Sequence, residues 1–263
     1  MIGLRAPVDS YDVSAAIAEY RARGFARISG VASDETLALL RERAQQIMLG
    51  EVVHEGLFFQ LDGATGEYET LAFGRGYEGP SLSYRKIEKL ERDPLFRAWI
   101  DNPLFEHIAA QVIGGDIVSY RSILMNKAAQ GGTILPWHQD GGAFWGLDRD
   151  PELQLWTALD DAPIEAGCVE FLPGSHHHGL ARPLGGMVTK EMAASVDAEA
   201  GAIAMPARAG DVMLIHNYVW HRSNVNRTEF ARRAFSVCLM SASTRCVRKK
   251  HAPRVFPPAF QRS

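Results

Sequence analysis

The spacing of apolar residues divides the chain into a helical first part and a strand-rich second part. Residues 13–22 and 33–48 place apolar side chains three or four positions apart, which predicts two amphipathic helices. Ser33, with Glu35 close behind it, lies where the first turn of the second helix needs a capping side chain. Between these helices, residues 25–31 alternate in the manner of a half-buried strand.

Pro103 divides the next apolar stretch, residues 94–112, into two short predicted helices, which end at Gly114–Gly115. Beyond that point the segments are short, rich in β-forming residues and separated by Gly, Pro or Asp: 116–126, 152–160, 167–172, 211–216 and 233–242. Such a series is typical of a sandwich or barrel. We therefore predict one domain over residues 1–263, mainly β with flanking helices: a helical layer (about 1–113) on a β core (about 114–245).

Residues 57–84 lack a clear period and are rich in glycine, aromatic and acidic residues. They predict a long loop or an irregular hairpin. Such a segment could be a lid over a functional site or, equally well, an ordered surface loop without a function of its own.

Composition changes this picture little. The chain is 46% hydrophobic and 22% charged with a net charge of −3, and its basic residues are scattered apart from a cluster at 245–250, so nucleic acid is not an expected partner. No run of about 18 apolar residues predicts a membrane span. The three cysteines have no metal-binding or disulfide spacing, so we expect reduced thiols in a cytoplasmic protein. The oligomeric state is not predicted.

The WHQD segment at 137–140 carries the first chemical signal. On a strand, His138 and Asp140 share a face, so an imidazole and a carboxylate would point together into the barrel. With a second histidine they would form the facial triad that suits Fe(II) and leaves coordination positions open. A lone His-x-Asp is weak evidence, because most such pairs are surface or core-edge residues.

Two histidines, His216 and His221, could supply the third ligand. Five positions separate them, so on an extended strand they face opposite sides and only one should bind. Three more histidines at 176–178 follow a Pro-Gly-Ser turn, and we interpret them as a solvated loop.

An ordered series of motifs resembles the phytanoyl-CoA dioxygenase family of 2-oxoglutarate oxygenases. The series spans most of residues 84–235 and comprises NK at 126–127, WHQD at 137–140, Trp156, Gly167, PGSH at 173–176, GD at 210–211, H-x-S-x-x-N at 221–226 and RRA at 232–234. The resemblance implies a double-stranded β-helix core of the jelly-roll or cupin type. It also implies Fe(II), 2-oxoglutarate and O2 as cofactor and co-substrates.

The resemblance assigns roles to individual residues. It selects His221 over His216 as the third ligand and makes Arg232 and Ser223 the partners of the distal carboxylate of 2-oxoglutarate, where a guanidinium offers a two-point grip. Arg233, one residue out of phase, would face away and form a surface salt bridge. Lys86, Trp156 and Asn126 are expected in the same co-substrate pocket, with a solvated lysine and a core tryptophan as plain alternatives.

The implied reaction is the oxidation, most simply the hydroxylation, of an unactivated C–H bond of a small molecule, with release of succinate and CO2. Asp140 stands where related halogenating enzymes have a small residue, which favours hydroxylation. Desaturation, epoxidation and cyclisation remain open. The alternatives are a non-redox cupin-like isomerase or hydrolase and a non-catalytic protein that binds 2-oxoglutarate or metal.

The substrate is open at this stage. Aromatic residues at 144–145 and in the 57–84 segment favour an apolar or ring-bearing molecule, although they could equally belong to the core.

Overall fold

A computed structural model describes residues 1–74, 76–248 and 254–260 of the chain. The predicted single domain and basic cluster extend beyond this part, since Lys249 and Lys250 lie outside the described residues. The helices are α1 (Val13–Arg23), α2 (Asp34–Leu49), α3 (Pro94–Ile100), α4 (Pro103–Val112), α5 (Lys190–Ser195) and α6 (Ala198–Gly201). The strands are β1 (Phe25–Ile28), β2 (Phe58–Leu61), β3 (Tyr84–Glu88), β4 (Ile117–Lys127), β5 (Leu135–Gln139), β6 (Leu153–Ala158), β7 (Val169–Leu172), β8 (Gly186–Met187), β9 (Ile203–Met205), β10 (Val212–His216), β11 (Trp220–Ser223) and β12 (Arg232–Ser241).

The helices begin and end where their sequences provide caps. The Ser33 hydroxyl accepts a hydrogen bond from the Thr36 amide, and Gly50 ends α2 in the left-handed conformation. The predicted break at Pro103 is confirmed, because Pro103 opens α4 and the Asn102 side chain caps its first turn. Glu35, in contrast, pairs with the amino group of Met1 instead of closing a capping box.

Two antiparallel sheets face each other, in agreement with the double-stranded β-helix expected from the motifs. In the described part of the chain, the larger sheet has the strand order β1-β10-β6-β12-β4-β3-β2 and the smaller has β8-β5-β11-β7-β9. Phe25 of the larger sheet stacks on Phe171 of the smaller, with ring centroids 4.3 Å apart. All five strands predicted in the second part of the chain are confirmed.

The N-terminal layer is not purely helical. Strands β1, β2 and β3 arise from residues before 113 and complete the larger sheet at both of its edges. The 57–84 segment proves to be an irregular hairpin, in which β2 and β3 pair antiparallel across residues 62–83. The segment lacks a regular spacing of apolar residues because two short strands flank a long irregular connection.

Helices α1 to α4 cover the outer face of the larger sheet. Trp99 of α3 is fully buried, and its indole nitrogen donates to the Thr157 hydroxyl of β6 at 2.9 Å. Leu40 of α2 and Phe235 of β12 belong to the same apolar cluster. Each such side chain contributes about 1.5–3 kcal/mol by its burial. This outer core leaves the inner face of the sheet free to carry polar side chains.

No helix within the described residues combines the length and the apolar character that crossing a membrane requires.

Candidate metal and co-substrate site

Three side chains distant in sequence converge between the two sheets. Candidate ligand atoms of His138, Asp140 and His221 all lie within 4.8 Å of one another. His138 on β5 and His221 on β11 are direct cross-strand partners, and their ring centroids are 4.0 Å apart. Asp140 lies just past the end of β5, and its carboxylate is 3.7 Å from Nε2 of His221. The strand alternation behind the prediction therefore holds, although Asp140 itself is not a strand residue.

Hydrogen bonds orient both imidazoles toward the same point. Nδ1 of His138 lies 2.9 Å from the carbonyl of Pro136, and Nδ1 of His221 lies 2.9 Å from the carbonyl of Val219. Since a carbonyl oxygen only accepts, each Nδ1 must carry the proton, which leaves Nε2 with a free lone pair. The two rings thus present metal-binding nitrogens inward.

The backbone and the carboxylate of Asp140 are held separately. Its main chain exchanges hydrogen bonds with Asn217, whose side-chain amide donates to the Asp140 carbonyl at 2.7 Å. Its carboxylate accepts from Gln154 at 2.8 Å and lies 3.4 Å from a guanidinium nitrogen of Arg121. Sequence reasoning missed Asn217, Gln154 and Arg121. For Gln154 the signal was its inward position two residues before Trp156 on a predicted strand.

The charge states of these groups suit a divalent cation. Burial, together with the neighbouring His221, lowers the pKa of His138 to about 3, so its imidazole is neutral. Burial alone would raise the pKa of Asp140, but Arg121 and the two imidazoles lower it to about 2. Two imidazole nitrogens and one carboxylate fit Fe(II), whose facial-triad sites use this donor set.

A cavity of about 240 Å³ opens beside the three ligands. Every residue that the sequence assigned to the site contributes to its lining: His138, Asp140, His221, Arg232, Ser223, Trp156, Lys86 and Asn126. The discarded His216 instead lies near His176, with ring centroids 4.9 Å apart. His176 is buried, so the solvated loop predicted for residues 176–178 is wrong at this position.

Arg232 lies deep in the wall of the cavity with unused donors. One guanidinium nitrogen donates to the Gly167 carbonyl at 2.7 Å, while its Nε is buried without a partner among the described residues. Gly167 has a positive φ, and a Cβ there would lie 2.1 Å from the Asn224 carbonyl, so only glycine fits. Arg233 faces away and forms the predicted salt bridge with Asp160 at 2.7 Å, although this pair is largely buried and does not lie on the surface.

Lys127 is a second buried cation beside Arg232, and sequence reasoning did not assign it to the site. The two residues are cross-strand partners on β4 and β12, and both line the cavity. The Lys127 ammonium donates to the Thr133 carbonyl at 2.5 Å, and no carboxylate of the described residues lies within ion-pair distance of either cation. Burial, with Arg232 and Arg85 nearby, holds the pKa of Lys127 well below its usual value.

The three remaining predicted residues differ in how far their polar groups are already bound to other residues of the protein. Lys86 faces the cavity but pairs with Glu88 at 2.9 Å. Trp156 packs with its ring 6.0 Å from the Arg232 guanidinium. The Asn126 amide nitrogen is occupied by the carbonyls of Leu82 and Tyr84, which leaves only its buried oxygen without a partner among the described residues.

The aromatic residues expected near a substrate are divided between the cavity and the core. Phe144 lines the cavity, whereas Trp145 is buried behind it and stacks on Tyr120 at 4.6 Å. Phe59 is buried, and Phe73 is exposed to solvent.

Comparison with known proteins agrees with this geometry. The mouse phytanoyl-CoA dioxygenase domain-containing protein 1 is 29% identical over 181 residues, which cover 62% of this chain and 60% of the mouse protein. The chain thus spans less than two thirds of that relative.

Two solved structures share the fold at low sequence identity. The non-haem α-ketoglutarate-dependent carbocyclase SnoK of nogalamycin biosynthesis is 21% identical with a TM-score of 0.73, covering 96% of this chain and 98% of SnoK. EctD from S. alaskensis, crystallised with 2-oxoglutarate and 5-hydroxyectoine, is 19% identical with a TM-score of 0.72, covering 92% and 83%. The family model for phytanoyl-CoA dioxygenase (PhyH) matches residues 20–234, and this chain therefore belongs to that family.

Proposed function

We propose that this protein is an Fe(II)- and 2-oxoglutarate-dependent dioxygenase that hydroxylates an unactivated C–H bond of a small molecule. The observation that carries the proposal is the convergence of His138, Asp140 and His221 on one cavity that is also lined by Arg232, a cation with no ion-pair partner among the described residues. A non-redox metal enzyme has no need of a buried guanidinium at that place. Membership of the PhyH family supports the same assignment.

Iron(II) bound there would supply the oxidising chemistry, in which R–H, O2 and 2-oxoglutarate give R–OH, succinate and CO2. One oxygen atom of O2 enters succinate and the other enters the hydroxyl group. The protein's share is to hold the reactants in place and to exclude water.

Arg232 and Lys127 would bind the distal carboxylate of 2-oxoglutarate. Two buried cations side by side, with no carboxylate of the described residues within ion-pair distance, are costly, and an incoming carboxylate would remove that cost. Ser223 faces the same cavity from β11 and can donate its hydroxyl to the same group. The oxoacid would therefore lie with its far end against β12 and its keto acid end toward His138 and His221.

Asp140 makes hydroxylation the favoured outcome over halogenation. A halide would need the coordination position that this carboxylate would take, and Gln154 holds the carboxylate while Asn217 holds the main chain of Asp140. The fold alone does not select the reaction, since SnoK is described as a carbocyclase.

The proposal is tested by adding Fe(II) and 2-oxoglutarate to the protein under nitrogen and recording the weak visible band of the chelated oxoacid. The band should form in the wild type, disappear in His221→Ala and weaken in Arg232→Ala. His216→Ala is the matched control and should keep it. A folded wild-type protein that binds metal but shows no band would favour the non-redox alternative, and a band without substrate-dependent succinate release would favour a binding protein.

A further inference from the structure

The cavity has many more positive than negative groups. Among its described lining residues the cations are Arg85, Lys86, Arg121, Lys127, Arg222 and Arg232, whereas Asp140 is the one carboxylate. Some of these charges are balanced by fixed partners outside the lining. Lys86 pairs with Glu88 at 2.9 Å, and Arg222 pairs with Glu170 at 2.8 Å and with Glu199. The cations left over identify where negative ligands are expected.

These remaining cations lie in two places. Lys127 and Arg232 are cross-strand partners at one end of β4, where the distal carboxylate of 2-oxoglutarate accounts for them. Arg85 belongs to the same place, because it lies close enough to lower the pKa of Lys127, and it donates to the Gln60 side chain at 2.8 Å. Arg121 lies six residues earlier on the same strand, opposite Cys238 of β12. At about 3.3 Å per residue their backbone positions are roughly 20 Å apart. Arg232 is held on the Gly167 carbonyl and Arg121 is stacked on Trp145, so we do not expect one carboxylate to bind both, and the second place needs an occupant of its own.

Arg121 is rigidly placed and incompletely hydrogen-bonded. Its guanidinium carbon lies 4.5 Å from the centre of the Trp145 ring, which is itself stacked on Tyr120. The side chain is 20% exposed, and its single ion-pair contact among the described residues is the 3.4 Å approach to Asp140. Its Nε is buried and has no hydrogen-bond partner in the described part of the chain. A stacked guanidinium with unused donors is a preorganised anchor for a planar anion.

The contact with Asp140 does not by itself explain Arg121. Gln154 already donates to the Asp140 carboxylate at 2.8 Å, and Asn217 holds its main chain. A 3.4 Å approach is at the long end for a charge-assisted hydrogen bond. A metal ion on Asp140 would also draw away part of the negative charge that Arg121 faces. With a metal ion on Asp140, Arg121 would depend on the longer-range attraction of Glu88, which already pairs with Lys86.

We propose that the substrate of this site is a small carboxylic acid whose carboxylate is bound by Arg121, on the side of the metal away from Arg232. The proposal rests on the function proposed above. Because Arg121 approaches a metal ligand directly, the carbon atoms nearest the carboxylate would lie beside the metal and be the ones oxidised. Phe144, Ile123 and Met187 line the same cavity and supply apolar contacts for the rest of the molecule.

The test compares acids with their uncharged counterparts on the protein loaded with Fe(II) and 2-oxoglutarate under nitrogen. The probes are aliphatic and aryl-substituted monocarboxylates, each paired with its primary amide, such as 3-phenylpropanoate with 3-phenylpropanamide. Binding is measured by calorimetry, and the visible band is recorded in the same samples. We expect at least one acid to bind about tenfold or more tightly than its amide, the value of one charge-assisted pair.

Variants separate an anchoring role from a structural one. Arg121→Met should lose the preference for the acid while keeping the visible band, and Arg121→Lys should keep part of the preference. Arg222→Met, which removes a compensated cation from the same cavity, should leave the preference in place. Loss of the band in Arg121→Met would overturn the proposal, because Arg121 would then be a residue that positions Asp140.

The remaining outcomes are also decisive. A wild-type protein that forms the band but binds no acid in preference to its amide overturns the proposed substrate class and leaves the oxygenase standing. A wild-type protein without the band instead refutes the proposed function itself.

Discussion

Replacing Lys127 by methionine should make the ligand-free protein more stable and its binding of 2-oxoglutarate weaker. Lys127 is 6% exposed, and its described polar contact is the hydrogen bond to the Thr133 carbonyl. It lies beside Arg232, which is equally buried and also lacks a carboxylate partner among the described residues. Methionine has a similar length and volume but no charge, so it removes the repulsion without opening a cavity.

The size of the effect follows from two opposing terms. Losing the donor to Thr133 leaves a carbonyl without its partner and costs about 1–2 kcal/mol. Removing an uncompensated buried cation regains several kcal/mol, as apolar replacements of buried charges generally show. The net gain should be about 1–2 kcal/mol, or a rise in Tm of roughly 2–8 °C for a chain of this size. The loss of one charge-assisted contact should weaken 2-oxoglutarate binding about tenfold.

Thermal denaturation without ligand measures the first effect, and titration of the visible band with 2-oxoglutarate measures the second. Lys190→Met, which removes an exposed lysine at the start of α5, is the matched control and should change neither. The reasoning is refuted if Lys127→Met lowers the Tm while the affinity for 2-oxoglutarate stays the same. Lys127 would then be a structural donor to Thr133 only.

Three further predictions follow from the same structure. Because burial and Arg232 lower the pKa of Lys127, a bound 2-oxoglutarate carboxylate should favour the charged lysine. The affinity should therefore fall as the pH rises through this lowered pKa in the wild type and stay flat in Lys127→Met, as titration calorimetry at several pH values would show. Gly167→Ala should destabilise the fold by several kcal/mol in urea denaturation and weaken 2-oxoglutarate binding, because the new Cβ meets the Asn224 carbonyl. Gly3→Ala, whose Cβ would have nothing within 4 Å, should leave the stability unchanged, and equal stability of the two variants would contradict the prediction. Asn102→Ala should lower the free energy of unfolding by about 1–2 kcal/mol in the same assay, because the Asn102 side chain caps α4 and also donates to the Trp99 carbonyl at 2.6 Å. An unchanged denaturation midpoint would show that the cap is dispensable.

The sequence by itself determined the elements whose signals are local. The period of apolar residues located α1 and α2, Pro103 separated α3 from α4, and the alternation of β-forming residues located the long strands. These features depend on neighbours a few positions away, and such information is contained in the sequence. The ordered motifs also placed all eight assigned residues on the walls of one cavity.

Only the tertiary structure decided which side chains share an environment without sharing a motif. Lys127 and Arg232 became neighbours through the pairing of β4 with β12, and Arg121 met Asp140 across the space between two sheets. His176 was buried by packing against the end of α1, although its own segment resembles an exposed turn. Burial and charge compensation depend on everything that surrounds a group in space. The balance of charge in the cavity therefore follows only from the arrangement of the two sheets, and the proposed acidic substrate depends on that balance.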